Sequence, residues 1–201
     1  MRGTQPRGRT RRRALSCRRR TGAAGRQRTP SADFTQPAHL ERYLALLAPV
    51  LHWNIGLVYA LPHALGFDTD AHVELIDGDS DAGRHLLHAL STRGMPEGLF
   101  SMGFQGAADL WAPWCAAVVD GEVASVAFAA RLSEVGAELG LATAPAFRGR
   151  GLAAAVTAAW SRLPSLRTRT LFYSTDSDNR ASQRVASRLG LTLCGTTLRV
   201  A

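Results

Sequence analysis

The chain has 201 residues, 46% of them apolar, which suits one globular domain with a sizeable core. No run of about 18 apolar residues occurs, so a membrane span is not expected, and the basic start lacks the apolar stretch of a secretory signal. Three scattered cysteines are too few for a disulfide framework or a zinc cluster. We therefore expect a soluble, cytoplasmic protein.

The net charge of +8 is concentrated at one end of the chain. All 24 residues counted as Lys or Arg are Arg, and 11 of them lie in residues 1–33, which contain one acidic residue. This Arg-rich segment has little to bury and repels itself, so we expect a disordered tail before a domain spanning residues 34–201. It could be a tail that binds nucleic acid non-specifically, the product of a start codon assigned too far upstream, or an Arg-rich presequence.

The first half of the domain has a weak pattern. Residues 37–61 carry apolar residues at helical spacing around a proline and predict a helix pair or a kinked helix. The segment "HVELID" then predicts a short strand. After it, "SDAGRHLLHALS" predicts a helix that Asp79 or Ser80 could cap.

The second half, after Pro113, is more regular. The segments "WCAAVV" and "EVASVAFAAR" flank Asp120-Gly121, a dipeptide that accepts the positive φ of a tight turn, and so predict a β-hairpin. The elements expected after the hairpin are a strand at "AELGLAT", a helix over 151–163, a strand at "TLFYST", a helix over about 179–189 and a last strand near "LTLCGTTLRV".

Between the third of these strands and the next helix stands a glycine-rich turn. A strand ending at Thr143 and a fresh helix N-terminus leave several backbone N–H groups unpaired around one point, at the positive end of a helix dipole. Arg148 and Arg150 add positive charge, while Gly149 and Gly151 let the backbone approach a ligand closely. The turn therefore has the features of an anion-binding site.

Two segments carry a family resemblance. The turn, "PAFRGRGLA", resembles the acyl-CoA pyrophosphate motif of the GNAT superfamily of N-acetyltransferases: Arg or Gln, two residues, Gly, one residue, then Gly or Ala. Arg148, Gly151 and Ala153 meet that pattern. The later "STDSDNRASQRVASRLGL" resembles the strand-helix segment of the same superfamily, with Asn179 opening the helix. Together the resemblance covers about residues 113–200.

The resemblance implies a fold and an activity. The fold is α/β, a mixed and mostly antiparallel sheet flanked by helices, with residues 34–112 on the acceptor side and 113–201 on the acetyl-CoA side. The activity is acyl transfer, from acetyl-CoA as co-substrate to the primary amine of a small molecule or a peptide. The sequence leaves open the identity of the amine and the oligomeric state.

The resemblance also assigns the acetyl-CoA contacts. It implies that the strand before the turn pairs with the pantetheine arm, that an amide near Thr143 donates to the oxyanion, and that the turn holds the pyrophosphate. It further implies that Asn179 contacts the pantetheine amides, although Asn179 could equally be a plain helix N-cap. The implied cofactor residues are Leu141, Ala142, Thr143, Arg148, Gly149, Arg150, Gly151, Leu152, Ala153 and Asn179.

The acid and base of the reaction are less well defined. Attack on a thioester needs a neutral amine and a proton for the departing thiolate. Glu138, on the strand leading to the turn, is the candidate base, with Glu134 as an alternative, and both could instead be solvent-facing carboxylates. Many family members carry a tyrosine acid seven residues after the helix-opening asparagine, where this chain has Ala186. Tyr173, Ser174 or water must then supply the proton, or the step needs no protein acid.

Other constellations are weak. The segment "DGDSDAG" spaces its carboxylates like a calcium loop but lacks the required glycine and closing glutamate. His85 and His88 share a helix face without a third ligand, so we expect no metal. Two alternatives to an enzyme remain: a catalytically silent acyl-CoA-binding module, and a nucleic-acid-associated protein that acts through its Arg-rich tail.

Overall fold

The strands of the protein lie in one sheet in a computed structural model that describes residues 39–47, 52–68 and 72–200. The predicted tail, residues 1–33, lies outside the described residues. The strands are β1 (Trp53–Leu61), β2 (Val73–Asp77), β3 (Cys115–Val119), β4 (Glu122–Leu132), β5 (Gly136–Thr143), β6 (Thr170–Asp176) and β7 (Thr192–Val200). The described α-helices are α1 (Leu40–Leu46), α2 (Asp81–Arg93), α3 (Glu97–Phe100), α4 (Leu152–Trp160) and α5 (Arg180–Arg188).

The sheet is mixed. Its strand order is β2-β3-β4-β5-β6-β1-β7, and each neighbouring pair is antiparallel except β5 with β6. Parallel neighbours need a crossover connection, and α4 supplies it between β5 and β6. The mixed, mostly antiparallel sheet flanked by helices that the resemblance implies is therefore confirmed.

The helix pair or kinked helix predicted over residues 37–61 is wrong for residues 53–61, which form β1; residues 37, 38 and 48–51 lie outside the described residues. Leu57 and Leu61 lie on one face of that strand and are buried. Gly56 fits tightly between neighbouring strands, since a Cβ there would lie 2.4 Å from Oγ1 of Thr197. A short apolar run can match both the helical and the strand period, and here pairing with the distant β6 and β7 decides the outcome.

Local sequence signals are confirmed where the structure tests them. The β3–β4 hairpin turns at Asp120 and Gly121, whose φ angles are 52° and 82°. Ser80 caps α2, because its Oγ accepts a hydrogen bond from the Gly83 N–H at 3.0 Å. The hairpin turn and the α2 cap are thus fixed by contacts within a few residues of the chain.

An apolar layer covers each face of the sheet. On one face α4 is buried along nearly its whole length, and its Trp160 donates an indole N–H to the Pro113 carbonyl at 2.8 Å. On the other face α2 and α3 contribute buried side chains such as Leu90 and Leu99. Neither α4 nor any other described helix is long and apolar enough to cross a membrane. The packing of α4 fixes the position of its N-terminus against the sheet.

Cys115 on β3 gives this core a pH dependence. Burial, with Asp77 nearby, raises the pKa of its thiol from about 9 to about 12. A group whose pKa is raised on folding stabilises the native state below its unfolded pKa, and this contribution is lost as the pH climbs from 9 towards 12. We expect the free energy of unfolding to lose about 2 kcal/mol from this group between pH 8.5 and 10.5.

Denaturant titrations of Cys115→Ala at the two pH values measure that loss. The variant should lose about 2 kcal/mol less than the wild type over this interval, whatever its stability at pH 8.5. Cys194→Ala, which removes the exposed cysteine of β7, is the matched control and should keep the wild-type pH dependence. Equal pH dependence in all three proteins would contradict the prediction.

Candidate active site

The two parallel strands separate part of the way along their length. β5 and β6 are paired from Gly136–Thr170 to Leu139–Tyr173 and no further. Beyond that point β5 remains paired with β4 through Thr143, and β6 remains paired with β1 through Asp176. A notch therefore opens between the carboxyl ends of the two strands, where α/β sheets commonly bind ligands.

The backbone of β5 presents polar groups to this notch. The Ala144 N–H donates to Ala124 on β4, and the Ala142 carbonyl accepts from Ser125 on β4. N–H and C=O directions alternate along an antiparallel strand, so those of Leu141 and Thr143 point the other way, into the notch. The notch thus offers a ligand the N–H groups and the Leu141 carbonyl on this side of the strand, while the Thr143 carbonyl accepts from Arg148.

The glycine-rich turn follows at the end of the notch. Gly149 and Gly151 have φ angles of 80° and 83°, a region that residues with a Cβ rarely adopt. α4 begins directly after Gly151, and no side chain caps its first turn. The amides of Leu152 and Ala153 are therefore available at the positive end of the α4 dipole. This is the geometry of an anion site.

Three arginines surround the turn. Arg148 donates from Nε to the Thr143 carbonyl at 3.3 Å, and the Arg150 guanidinium lies over the ring of Phe147. Arg188, from the last turn of α5, lies 3.1 Å from the point where a Cβ on Gly151 would stand. Nothing in its local sequence distinguishes Arg188 from the other arginines of α5, so sequence reasoning missed it.

Arg188 is held in place by an aromatic ring. Its guanidinium lies 5.0 Å from the ring centre of Phe67, in the segment that follows β1. The two side chains line a cavity of about 130 Å³ together with Arg150 and Gly151. Asp68 lines the same cavity, so the site extends beyond the turn to Arg188 and Phe67 and gains one negative charge together with the positive one.

Asn179 lies at the opposite side of the notch, where α5 begins after β6. Its Oδ1 accepts the Ser182 N–H at 3.0 Å, so the side chain is a helix N-cap. Its Nδ2 group makes no hydrogen bond to the described part of the chain. The cap and a ligand contact through Nδ2 are compatible.

Glu138 lies one residue before the strands part, on the sheet face opposite α4. Its Oε2 pairs with Nη1 of Arg131 at 2.5 Å, and its Oε1 accepts the hydroxyl of Ser174. The side chain is 20% exposed. Glu134 lies instead in the turn before β5, at the strand end remote from the notch. Of the two carboxylates, only Glu138 is brought to the notch.

Tyr173 occupies the last paired position of β6 and faces α5. Its side chain is 1% exposed, and its hydroxyl is 2.5 Å from Oγ of Ser182. Burial raises the pKa of Tyr173 to about 12, although the Ser182 contact lowers it in part. Since Glu138 points to the other face of the sheet, the structure does not bring these two predicted catalytic side chains together. The side chain of Ala186, on α5, is fully buried.

The hydroxyl of Thr175 is a further feature that the sequence did not reveal. Thr175 lies on β6 beyond the last residue that pairs with β5. It is 5% exposed and faces the same side of the sheet as Tyr173. Among the described residues it carries the one buried side-chain oxygen without a hydrogen-bond partner. Buried polar groups are normally satisfied, so Thr175 is an exception among the described residues.

Comparison with known proteins identifies the family. A model of the acetyltransferase (GNAT) domain matches residues 68–192, more than half of the chain. The notch, the glycine-rich turn and the start of α4 all fall inside this range. The chain belongs to the GNAT acetyltransferase family.

Solved structures share the fold at low sequence identity. A GCN5-related N-acetyltransferase-like protein from Streptococcus suis is 18% identical with a TM-score of 0.51, over 79% of this chain and 65% of that one. A Drosophila protein is 19% identical with a TM-score of 0.53, over 79% and 54%. A GCN5-related N-acetyltransferase from Kribbella flavida is 16% identical with a TM-score of 0.50, over 81% and 62%. This chain therefore spans less than two thirds of their length. No curated protein sequence matches it.

The anion site can be tested with Gly151→Glu. The new carboxylate would stand against the phosphates of acetyl-CoA and would also pair with the neighbouring Arg188. We expect acetyl-CoA affinity measured by calorimetry to fall by more than about 2 kcal/mol, roughly thirtyfold. Gly94→Glu places the same side chain at an exposed glycine with a φ of 86° and controls for backbone strain. Unchanged affinity in a folded Gly151→Glu protein would remove the ligand role of the turn.

Proposed function

We propose that this chain is an N-acetyltransferase that moves acetyl from acetyl-CoA to a primary amine by direct attack on the thioester. The observation that carries the proposal is the notch between β5 and β6, which leads straight into an uncapped helix N-terminus. A long ligand in which amide groups are followed by a pyrophosphate fits a strand edge that is followed by an anion site. The acceptor is the amine of a small molecule or a peptide, the reaction needs no metal, and the site of action is the cytoplasm.

The chain would hold acetyl-CoA at three places. The pantetheine amides pair with the backbone of Leu141 and Thr143, as a neighbouring strand would, and the Nδ2 group of Asn179 donates from the other side of the notch. The pyrophosphate lies on the amides that follow Gly149, with Arg148 and its basic neighbours supplying charge. The strand groups are fixed by pairing within the sheet, the turn amides by the packing of α4, and Asn179 by its cap of α5, before a ligand arrives.

The reaction then needs few protein groups. The amine nitrogen attacks the thioester carbon, the C–S bond breaks, the amine loses one proton and CoA leaves as its thiol. A backbone N–H near Thr143 stabilises the oxyanion, because it already points into the notch. Glu138 receives the amine proton, directly or through the hydroxyl of Ser174, which it already accepts.

The base assignment is tested with Glu138→Gln. The amide can still accept the Ser174 hydroxyl but cannot take a proton, so we expect turnover at pH 7.5 to fall by about 10². The measurement is release of free CoA from acetyl-CoA over a panel of amines, with acetyl-CoA affinity measured separately. Glu134→Gln, at the far end of β5, is the matched control and should keep wild-type turnover. Release by neither wild type nor variants, with acetyl-CoA still bound, would favour a silent acyl-CoA-binding module.

Tyr173 is expected to contribute more to packing than to proton transfer. A thiol has a pKa near 8.5, so below that pH water can protonate the departing thiolate without a protein acid. Tyr173→Phe should lower turnover by less than about tenfold, whereas a dedicated acid contributes about 10² to 10⁴. The check is turnover against pH for both proteins, with melting curves as the folding control. A hundredfold loss, together with a wild-type profile that falls above about pH 9, would make Tyr173 the acid.

Ala186 does not offer a vacant position for the tyrosine of other family members. Its side chain is fully buried in the core layer between α5 and the sheet. A tyrosine introduced there would have to displace core side chains, and overpacking typically costs about 1–3 kcal/mol. We therefore expect Ala186→Tyr to lower the free energy of unfolding rather than to supply a catalytic proton.

A further inference from the structure

A second cavity lies on the sheet face opposite α4. Its volume is about 310 Å³, and Leu141 and Ala142 of β5 form part of its lining. The same two residues border the notch, so a molecule in this cavity and a thioester in the notch would meet along β5. The cavity thus lies beside the notch that the proposed acetyl-CoA would occupy.

The walls of this cavity are mainly aromatic. The ring centre of Phe128 lies 5.6 Å from that of Phe104 and 6.2 Å from that of Trp111, both edge to face. The Phe128 ring lies across β5 at Gly140, where a Cβ would come within 2.5 Å of ring atoms. Trp111 is 54% exposed, so the aromatic wall reaches solvent. An aromatic guest can enter at Trp111 and stack further in.

One charged side chain lines the cavity, and it is negative. Asp109 accepts the Gln105 N–H at 2.6 Å and the Gly106 N–H at 3.0 Å, both through Oδ2. These bonds fix the carboxylate, while Oδ1 makes no hydrogen bond within the described chain. No Arg or His is among the described residues that line the cavity. The cavity therefore attracts an ammonium group and repels a carboxylate, and its rings add cation–π attraction.

We propose that the acceptor is an arylalkylamine, a primary amine with an aromatic body and no carboxylate. The proposal rests on the function proposed above and names the substrate class of that site. The aromatic body packs on Phe104, Trp111 and Phe128. The field of Asp109 draws in the ammonium form, which gives one proton to bulk water before the neutral amine attacks, and the second amine proton goes to Glu138 as in the proposed reaction. Amino acids are rejected because their α-carboxylate would be buried near Asp109 without a cation to pair with it.

Three matched ligands test the class. 2-Phenylethylamine, L-phenylalanine and L-phenylalanine amide share the aromatic body, and only L-phenylalanine carries a carboxylate. We expect the two ligands without a carboxylate to show KM values in CoA release at least tenfold below that of L-phenylalanine, and to bind at least tenfold more tightly in calorimetry with the full chain. L-Phenylalanine performing as well as its amide would overturn the proposal.

Variants then test the residues. Asp109→Asn keeps an oxygen for the Gln105 and Gly106 amides and should reduce the preference for the amide over L-phenylalanine to about threefold or less, through KM rather than kcat. Trp111→Ala should raise KM for 2-phenylethylamine at least fivefold and leave KM for methylamine within twofold. Asp81→Asn, at the exposed start of α2, is the control and should change nothing. A preference that survives Asp109→Asn would contradict the role of Asp109.

The test separates this inference from the function on which it rests. If arylalkylamines bind with the expected preference but no amine releases CoA, the assignment of the cavity stands and acetyl transfer fails. If CoA is released with spermidine but not with 2-phenylethylamine, acetyl transfer stands and the acceptor class is wrong.

Discussion

The parting of β5 and β6 after Leu139 and Tyr173 is the constraint on which the rest of the site depends. β5 stays paired with β4, and β6 with β1, so both strands remain ordered where they no longer pair with each other. The N–H and C=O groups freed there therefore keep fixed positions. Because unpaired backbone groups away from water are unfavourable, such a notch favours a ligand that completes the ladder. The turn and α4 then place the anion site at its end.

Structure that depends on residues close together in the chain could be predicted from the sequence. Structure that depends on contacts between distant segments could not. The Asp120-Gly121 turn, the Ser80 cap and the glycine-rich turn each depend on neighbours in the chain, and the structure contains all three. β1 was misread because its strand form depends on pairing with segments more than 100 residues away. Arg188 and Thr175 were missed for the same reason, since helix and sheet packing bring them to the notch.

The two faces of the sheet divide the chemistry. The α4 face carries the groups proposed to bind the pyrophosphate and the buried Tyr173, while the opposite face carries Glu138 and the aromatic cavity. Gly140 lies between them at the start of the notch, and its missing side chain lets the Phe128 ring lie against β5. In the proposed reaction a single strand, β5, would therefore present its backbone edge to acetyl-CoA and one of its faces to the acceptor.

The position of β1 between β6 and the edge strand β7 has a consequence for how the chain folds. β1 must insert between β6 and β7, so the loop that it closes spans more than 100 residues, and its closure entropy must be overcome before the pairing is gained. Until β1 pairs with β6, the part of β6 that borders the notch has no neighbouring strand. Assembly of the candidate site is therefore coupled to the least local pairing of the sheet, and the notch is not complete until β1 has paired with β6.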